Sequence, residues 1–388
     1  MKPLRVFILA GEPSGDKLGG ALMAGLKSLH PDVSFEGIGG VLMQAEGLNS
    51  RFDMSELSVM GLAEILPKYF HLKRRIAETA QAVIDMQPDV LITIDSPDFS
   101  LRVAKLVKAG SDIRTVHYVA PTVWAWRAGR AAKMARHIDQ VLALLPFEPP
   151  YMQAAGMRCD FVGHPVVAEP VATDHEANAF KAKRNLSKGP VVLLLPGSRR
   201  SEVARLGERF SQVAKQLKAQ IPDAQIVVPA AAPVADAVCE LTKDWPDTLV
   251  LDPRQGEYAA AMAEKRAAFR AADVALAASG TVSLELAAAN TPMVIAYDMS
   301  PLSRFIISRM VKVDTVTLVN LVSDTRAVPE FIGKDCQPDR IVASIADVLA
   351  APQDQRAAMA LTMQRLGQGG EAPGLRAARA VLDGLAAD

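Results

Sequence analysis

What most restricts the fold of this chain is an alternation that runs nearly end to end: short runs of β-forming residues, each followed by a longer amphipathic stretch. In the first half the runs fall near 5–10, 33–38, 89–94, 114–119 and 140–145, and Phe161 and Val162 offer one more. Strands that alternate with helices build parallel sheets with helices packed on them. Residues 166–189 interrupt the pattern: they are polar, lack apolar periodicity and read as a linker. The alternation then restarts at PVVLLLPGSRR. The helix after it carries Val203, Leu206, Phe210, Val213 and Leu217 at three- and four-residue spacing, one buried stripe. Further runs lie near 224–229, 248–251, 273–277 and 293–297, and from Gln353 onward the chain is Ala-rich and helical. The expected fold class is α/β: two doubly wound, Rossmann-like domains, 1–167 and 168–352, facing a cleft. Closing helices at 353–388 have the option of crossing back to the first domain.

Composition agrees with two cores. The chain has 388 residues, half of them hydrophobic, more than one ordinary core accommodates. Lys plus Arg equals Asp plus Glu at 43 each, which excludes bulk attraction to nucleic acid; an anionic partner must be held by a local patch. Cys159, Cys239 and Cys336 are too dispersed for a metal site or a disulfide framework and point to a reducing, cytoplasmic setting. MKPLRVFILAGEPSGD reads as a first strand and turn rather than a secretion signal. No run of about 18 apolar residues is present, so no membrane span is expected. There is no D-x-D triplet and no His/Asp/Glu cluster of metal spacing, so neither a metal nor a cofactor is expected.

Three strand-to-helix junctions are rich in glycine or hydroxyl residues. In AGEPSGDKLGG, Gly11, Ser14, Gly15 and Asp16 offer either a tight turn or contact with a ligand; the spacing departs from GxGxxG, which disfavours a nicotinamide nucleotide. In LLLPGSRRSEV, Gly197 and Ser198 open a helix at a strand's carboxyl end and Arg199 adds a delocalised cation, a combination that suits a phosphate. In AASGTVSLE, Ser279, Gly280 and Thr281 form a second such loop, and Glu285 stands one turn into the helix. There it either accepts from ribose hydroxyls or compensates the helix dipole. Two such loops in one domain suit a nucleotide diphosphate.

In LITIDSPDFS, Asp95 is the first residue past a strand. Pro97 is expected to hold Ser96 extended, and Asp98 to cap the following helix, leaving Asp95 as the chemical residue. Trp126 and Arg127, within APTVWAWRAGR, suit either a sugar and a phosphate or a packed loop. His164 in FVGHP falls at the domain boundary, as a hinge or a substrate contact. Residues 57–75 combine Met60, Leu62, Ile65, Leu66 and Phe70 with Lys73, Arg74 and Arg75: an apolar surface edged by cations, or a half-buried helix pair.

The series GEPSGD, VMGLAEIL, IDSPDF, HYVAPTVWAWR, LPFE, VGHP, LPGSRRSEV, ASGTVSLE and the Asn-bearing NL near residue 320 resembles the lipid A disaccharide synthase family in order and spacing over nearly the whole chain. The family pattern usually has alanine at Pro13 and at Ser96, asparagine at Ser100, and proline at Val319. The resemblance implies an inverting glycosyltransferase of the glycosyltransferase-B fold. Its substrates would be UDP-2,3-diacylglucosamine and 2,3-diacylglucosamine 1-phosphate (lipid X), and its products UDP and a β-1,6-linked disaccharide. It further implies Asp95 as general base, Glu285 and Asn320 in the UDP pocket, and peripheral work at the cytoplasmic face of the inner membrane. A homodimer is one admissible assembly. Rival readings are a UDP-sugar 2-epimerase of the same fold and a non-catalytic nucleotide-sugar sensor.

Overall fold

The computed structural model describes residues 2–57, 62–124, 129–298 and 314–387, with 62–68 as backbone only. The chain divides into two compact units, one made of Met1–Ala168 and Gly369–Asp388, the other of Glu169–Gln368.

The first unit is built on seven parallel strands: β1 Leu4–Ala10, β2 Val33–Ile38, β3 Asn49–Ser50, β4 Val90–Ile94, β5 Arg114–Tyr118, β6 Gln140–Ala143 and β7 Arg158–Phe161. They lie in the order β3-β2-β1-β4-β5-β6-β7. Side chains alternate across a strand, so β1 serves two cores. Val6, Ile8 and Ala10 pack with Leu18, Leu22 and Leu26 of the helix Pro13–Leu29. Phe7 and Leu9 pack with Val83 of the helix Leu62–Met86 and with Val103 and Val107 of the helix Pro97–Gly110. The C-terminal helix Pro373–Ala386 belongs to this unit and lies on Pro13–Leu29. Ala377, Ala378 and Val381 enter the same core, and the small residues Gly25 and Gly374 let the two helices touch.

The second unit has six parallel strands: β8 Val191–Leu195, β9 Gln225–Pro229, β10 Thr248–Leu251, β11 Val274–Ala278, β12 Met293–Tyr297 and β13 Glu330–Ile332, in the order β10-β9-β8-β11-β12-β13. The predicted stripe Val203, Leu206, Phe210, Val213 and Leu217 on the helix Arg200–Gln220 is buried against Val192 and Leu194.

The two edge strands β3 and β13 escaped the sequence reading because two or three residues carry no periodicity. The supposed linker holds a helix, Asp174–Lys183. Thr173 accepts from the Glu176 N–H while Glu176 accepts from the Thr173 N–H, a capping box whose T-x-x-E signature stands in the sequence. The two C-terminal helices separate: Gln353–Arg365 stays with the second unit while Pro373–Ala386 joins the first. Among the described residues no helix is long and apolar enough to cross a membrane.

Candidate active site

In each sheet the chain winds outward from the first strand and then crosses back to its other side, so the strand order reverses between β1 and β4, and again between β8 and β11. Open parallel sheets bind ligands beyond the carboxyl ends of their strands at such a reversal. The register makes each location concrete. Ala10 pairs with Ile94, so the next residues, Gly11 and Asp95, stand side by side. Ala277 pairs with Leu195, so the loops 196–199 and 279–281 also neighbour one another.

Asp95 is half-buried, and its N–H donates to the Tyr118 carbonyl at 3.0 Å. Among the described residues its carboxylate has no hydrogen bond or ion pair. Both Asp95 and Ser96 take the left-handed conformation, each at φ 45°. Such backbone costs on the order of 1–3 kcal/mol per residue and is concentrated at functional sites. This corrects two expectations. Ser96 is left-handed rather than extended, and it occupies the cap position itself; Asp98 is the second residue of the helix Pro97–Gly110, exposed, where it complements the helix dipole. Gly11 is required beside this turn, since a Cβ there would stand 2.6 Å from the Ser96 Oγ.

Ser14 is exposed and Gly15 buried in the first turns of the helix after β1. Asp16 is a correction: it is 3% exposed and its carboxylate accepts the N–H groups of Gly40, Leu42 and Met43 at 2.8, 3.0 and 3.0 Å. It caps the helix Val41–Ala45 rather than meeting an acceptor. His164 is buried, and its Nδ1 accepts from the Val166 N–H at 3.2 Å. Burial lowers its pKa to about 4, which keeps the ring neutral. Trp126 and Arg127 lie outside the described residues. Trp124 is half-buried, edge-on to Phe147 at 5.2 Å between ring centroids.

In the second unit Gly197 holds φ 127°, a conformation other residues rarely adopt. The loop it forms is filled by a residue the sequence reading passed over. The Glu202 carboxylate accepts the N–H groups of Ser198 and Arg199 at 3.0 and 3.3 Å, and the Arg199 guanidinium at 3.0 Å. A phosphate entering here would displace Glu202; the R-R-S-E spacing, with an acid at the helix's third position, was the available signal. Across the reversal, Ser279 is half-buried while Gly280 and Thr281 are exposed, and the Ser283 hydroxyl donates to the Gly280 carbonyl at 2.9 Å. Glu285 bonds Lys265 at 2.7 Å, and Lys265 also lies over the Phe269 ring at 5.0 Å from its centroid. Lys265 lines a cavity of about 110 Å³ at the carboxyl ends of β9 and β10, together with Ala230, Leu251, Gln255 and Met262. A larger hollow of about 430 Å³, beside Arg326 and Leu361, gathers no catalytic groups. Asn320 is fully buried. Its amide donates to Thr315 Oγ1 and to the Val328 carbonyl and accepts the Val328 N–H, so it braces the core instead of lining a pocket.

Of the surface predicted between 57 and 75, Met60 and the side chains of Leu62, Ile65 and Leu66 lie outside the described residues. Phe70 is 80% exposed, edge-on to Tyr69. Lys73 is exposed, whereas Arg75 is no free cation: it is bonded to Glu56 and Glu78 and lies over the Phe52 ring at 4.4 Å. Arg74 bonds the His71 Nδ1 at 3.1 Å.

Residues 6–379 match a family model described as lipid-A-disaccharide synthetase. A lipid-A-disaccharide synthase from Ruegeria pomeroyi is 65% identical, covering 98% of this chain and 96% of its own length; one from Rhodospirillum centenum is 45% identical, covering 99% and 95%. The chain belongs to the lipid-A-disaccharide synthase family. It is therefore a glycosyltransferase of lipid A biosynthesis. Among solved structures, a UDP-GlcNAc 2-epimerase from Neisseria meningitidis bound to UDP-GlcNAc superposes with a TM-score of 0.61 at 12% identity, covering 99% of each chain. That likeness gives the fold alone, two Rossmann-like units of glycosyltransferase-B type. Family membership decides the activity for the lipid-A-disaccharide synthase reading over the epimerase.

Proposed function

We propose that this chain transfers the diacylglucosaminyl group of UDP-2,3-diacylglucosamine to the 6-hydroxyl of 2,3-diacylglucosamine 1-phosphate (lipid X). One in-line displacement inverts the anomeric carbon and releases UDP. The observation that carries the reading is Asp95: a carboxylate unengaged among the described residues, one position beyond a strand, at the reversal of the sheet and on strained backbone. An alcohol is a weak nucleophile, so the acceptor hydroxyl must lose its proton as the new C–O bond forms, and Asp95 takes it. The anomeric C–O bond breaks with its electron pair passing to the β-phosphate. Charge growing there is met by the loops 196–199 and 279–281, with Arg199 turning from Glu202 to the diphosphate. Glu285, steadied by Lys265, accepts from the ribose hydroxyls. Phe70 and Tyr69 with Lys73 and Arg74 support a peripheral contact with the cytoplasmic face of the inner membrane, from which both acylated substrates come.

The test supplies both acylated glucosamines and identifies the products by mass spectrometry. Asp95→Asn is expected to bind UDP as the parent does and to lose roughly 10²–10⁴-fold in turnover. Near-parental turnover in that variant would sink the assignment of the base.

A further inference from the structure

Glu148 is a buried acid that the reaction above does not use. It is 3% exposed, in the turn that follows β6. One carboxylate oxygen accepts the Leu145 N–H at 3.0 Å and the other faces the Trp124 Nε1–H at 3.4 Å. Trp124 in turn stands edge-on to Phe147, the residue before Glu148. No cation pairs with Glu148 among the described residues, and burial pushes its carboxyl up to about 7. A buried acid without a counter-charge is unfavourable, so its retention calls for a geometric reason.

The segment that carries Trp124 supplies that reason. It begins at Val119, a β-branched residue at φ 86°, a backbone state that persists only when its surroundings enforce it. The same strand end seats the catalytic turn, because the Asp95 N–H donates to the Tyr118 carbonyl. Strained residues thus follow two neighbouring strands, β4 and β5, and Trp124 stands five positions beyond the strained Val119.

We infer that Glu148 is a positioning residue for the transfer: it holds Trp124 and so steadies the segment Val119–Trp124 that follows Tyr118, whose carbonyl seats the turn that carries Asp95. This rests on Asp95 acting as the base. Glu148→Gln keeps an oxygen for the indole N–H but turns its NH₂ toward the Leu145 N–H, so it is expected to lose some turnover, less than Glu148→Ala does. Glu148→Ala is expected to lower kcat at least ten-fold while KM for the UDP-sugar changes less than two-fold. Trp124→Phe removes the indole donor together with part of the ring and is expected to reproduce at least most of that loss, and the double variant to be no worse than the more damaging single variant. Parental kcat in Glu148→Ala, or losses that multiply in the double variant, would overturn the inference. If Glu148→Ala fails to fold, the Trp124→Phe result decides.

A second readout does not depend on transfer. In the full chain with Trp126→Phe and Trp245→Phe, acrylamide quenching reports Trp124 alone. Glu148→Ala should at least double the quenching constant and Glu148→Gln should raise it by less. Equal quenching in all three overturns the positioning role whether or not disaccharide is formed. Absence of disaccharide with the quenching pattern intact would instead indict the proposed reaction.

Discussion

Asp16 separates two roles that the sequence left open, contact with an acceptor and support of the fold. Its carboxylate is 3% exposed and receives three backbone N–H groups, two on one oxygen (Gly40 and Met43) and one on the other (Leu42). In Asp16→Asn the amide oxygen keeps the first pair while the NH₂ group confronts the Leu42 N–H, a donor facing a donor. One charge-assisted bond is lost and the remaining two weaken, about 1.5–3 kcal/mol in all. Asp16→Ala leaves all three amides without their acceptor, and only part of the loss is recovered by water, since Met43 is buried; roughly 3–5 kcal/mol is expected. A unit of this size loses about 2–4 °C of Tm per kcal/mol, so the first unit's transition should fall by roughly 3–12 °C in Asn and further in Ala. Thermal unfolding followed by circular dichroism, with and without UDP, measures this, and UDP affinity should be unchanged. An unaltered Tm accompanied by a large loss of turnover would refute the capping role and return Asp16 to the acceptor site.

Deleting residues 369–388 removes Ala377, Ala378 and Val381 from the core on Pro13–Leu29, so the shortened chain should lose the first unit's cooperative transition while keeping the second's; two intact transitions would contradict this. Lys265→Met frees Glu285 from a partly exposed ion pair worth about 0.5–1 kcal/mol, so the Kd for UDP should rise about two- to five-fold by calorimetry. The first unit should lose stability in mild acid. His117 and His164 have pKa values lowered to about 4 by burial, so between 6.5 and 4 the unfolded chain binds protons that the folded chain refuses, and stability falls as pH drops. Glu148, raised to about 7, acts oppositely above 4.5, while His137, also lowered by burial, adds to the fall, so the histidines outweigh the acid and stability declines from 6.5 to 4.5. Denaturant titrations should show that decline reduced by about one proton, roughly 1.4 kcal/mol per pH unit, in His117→Gln; an unchanged slope would show that the buried histidine is not its source.

Much of the architecture was legible because element type is a local property. A run such as VVLLL followed by the stripe Val203, Leu206, Phe210 allows few folds, and a parallel sheet of such units reverses its strand order once. That reversal is why Asp95, first past β4, is the candidate base that position alone singles out. What the sequence left undecided was how each polar group is employed. Asp16 and Asp95 both sit near the carboxyl ends of neighbouring strands, yet one is consumed by three amides from a segment some 25 residues away and the other is not. The loop at Gly197 has the composition of an anion site and is closed by its own Glu202. Asn320 looked like a pocket residue and is a core brace. The C-terminal helix carries a clear apolar face, but its partner lies more than 300 residues earlier in the chain. Periodicity records which face is buried, not against what; hydrogen-bond and packing partners are set by distances that exist only once the sheets have formed.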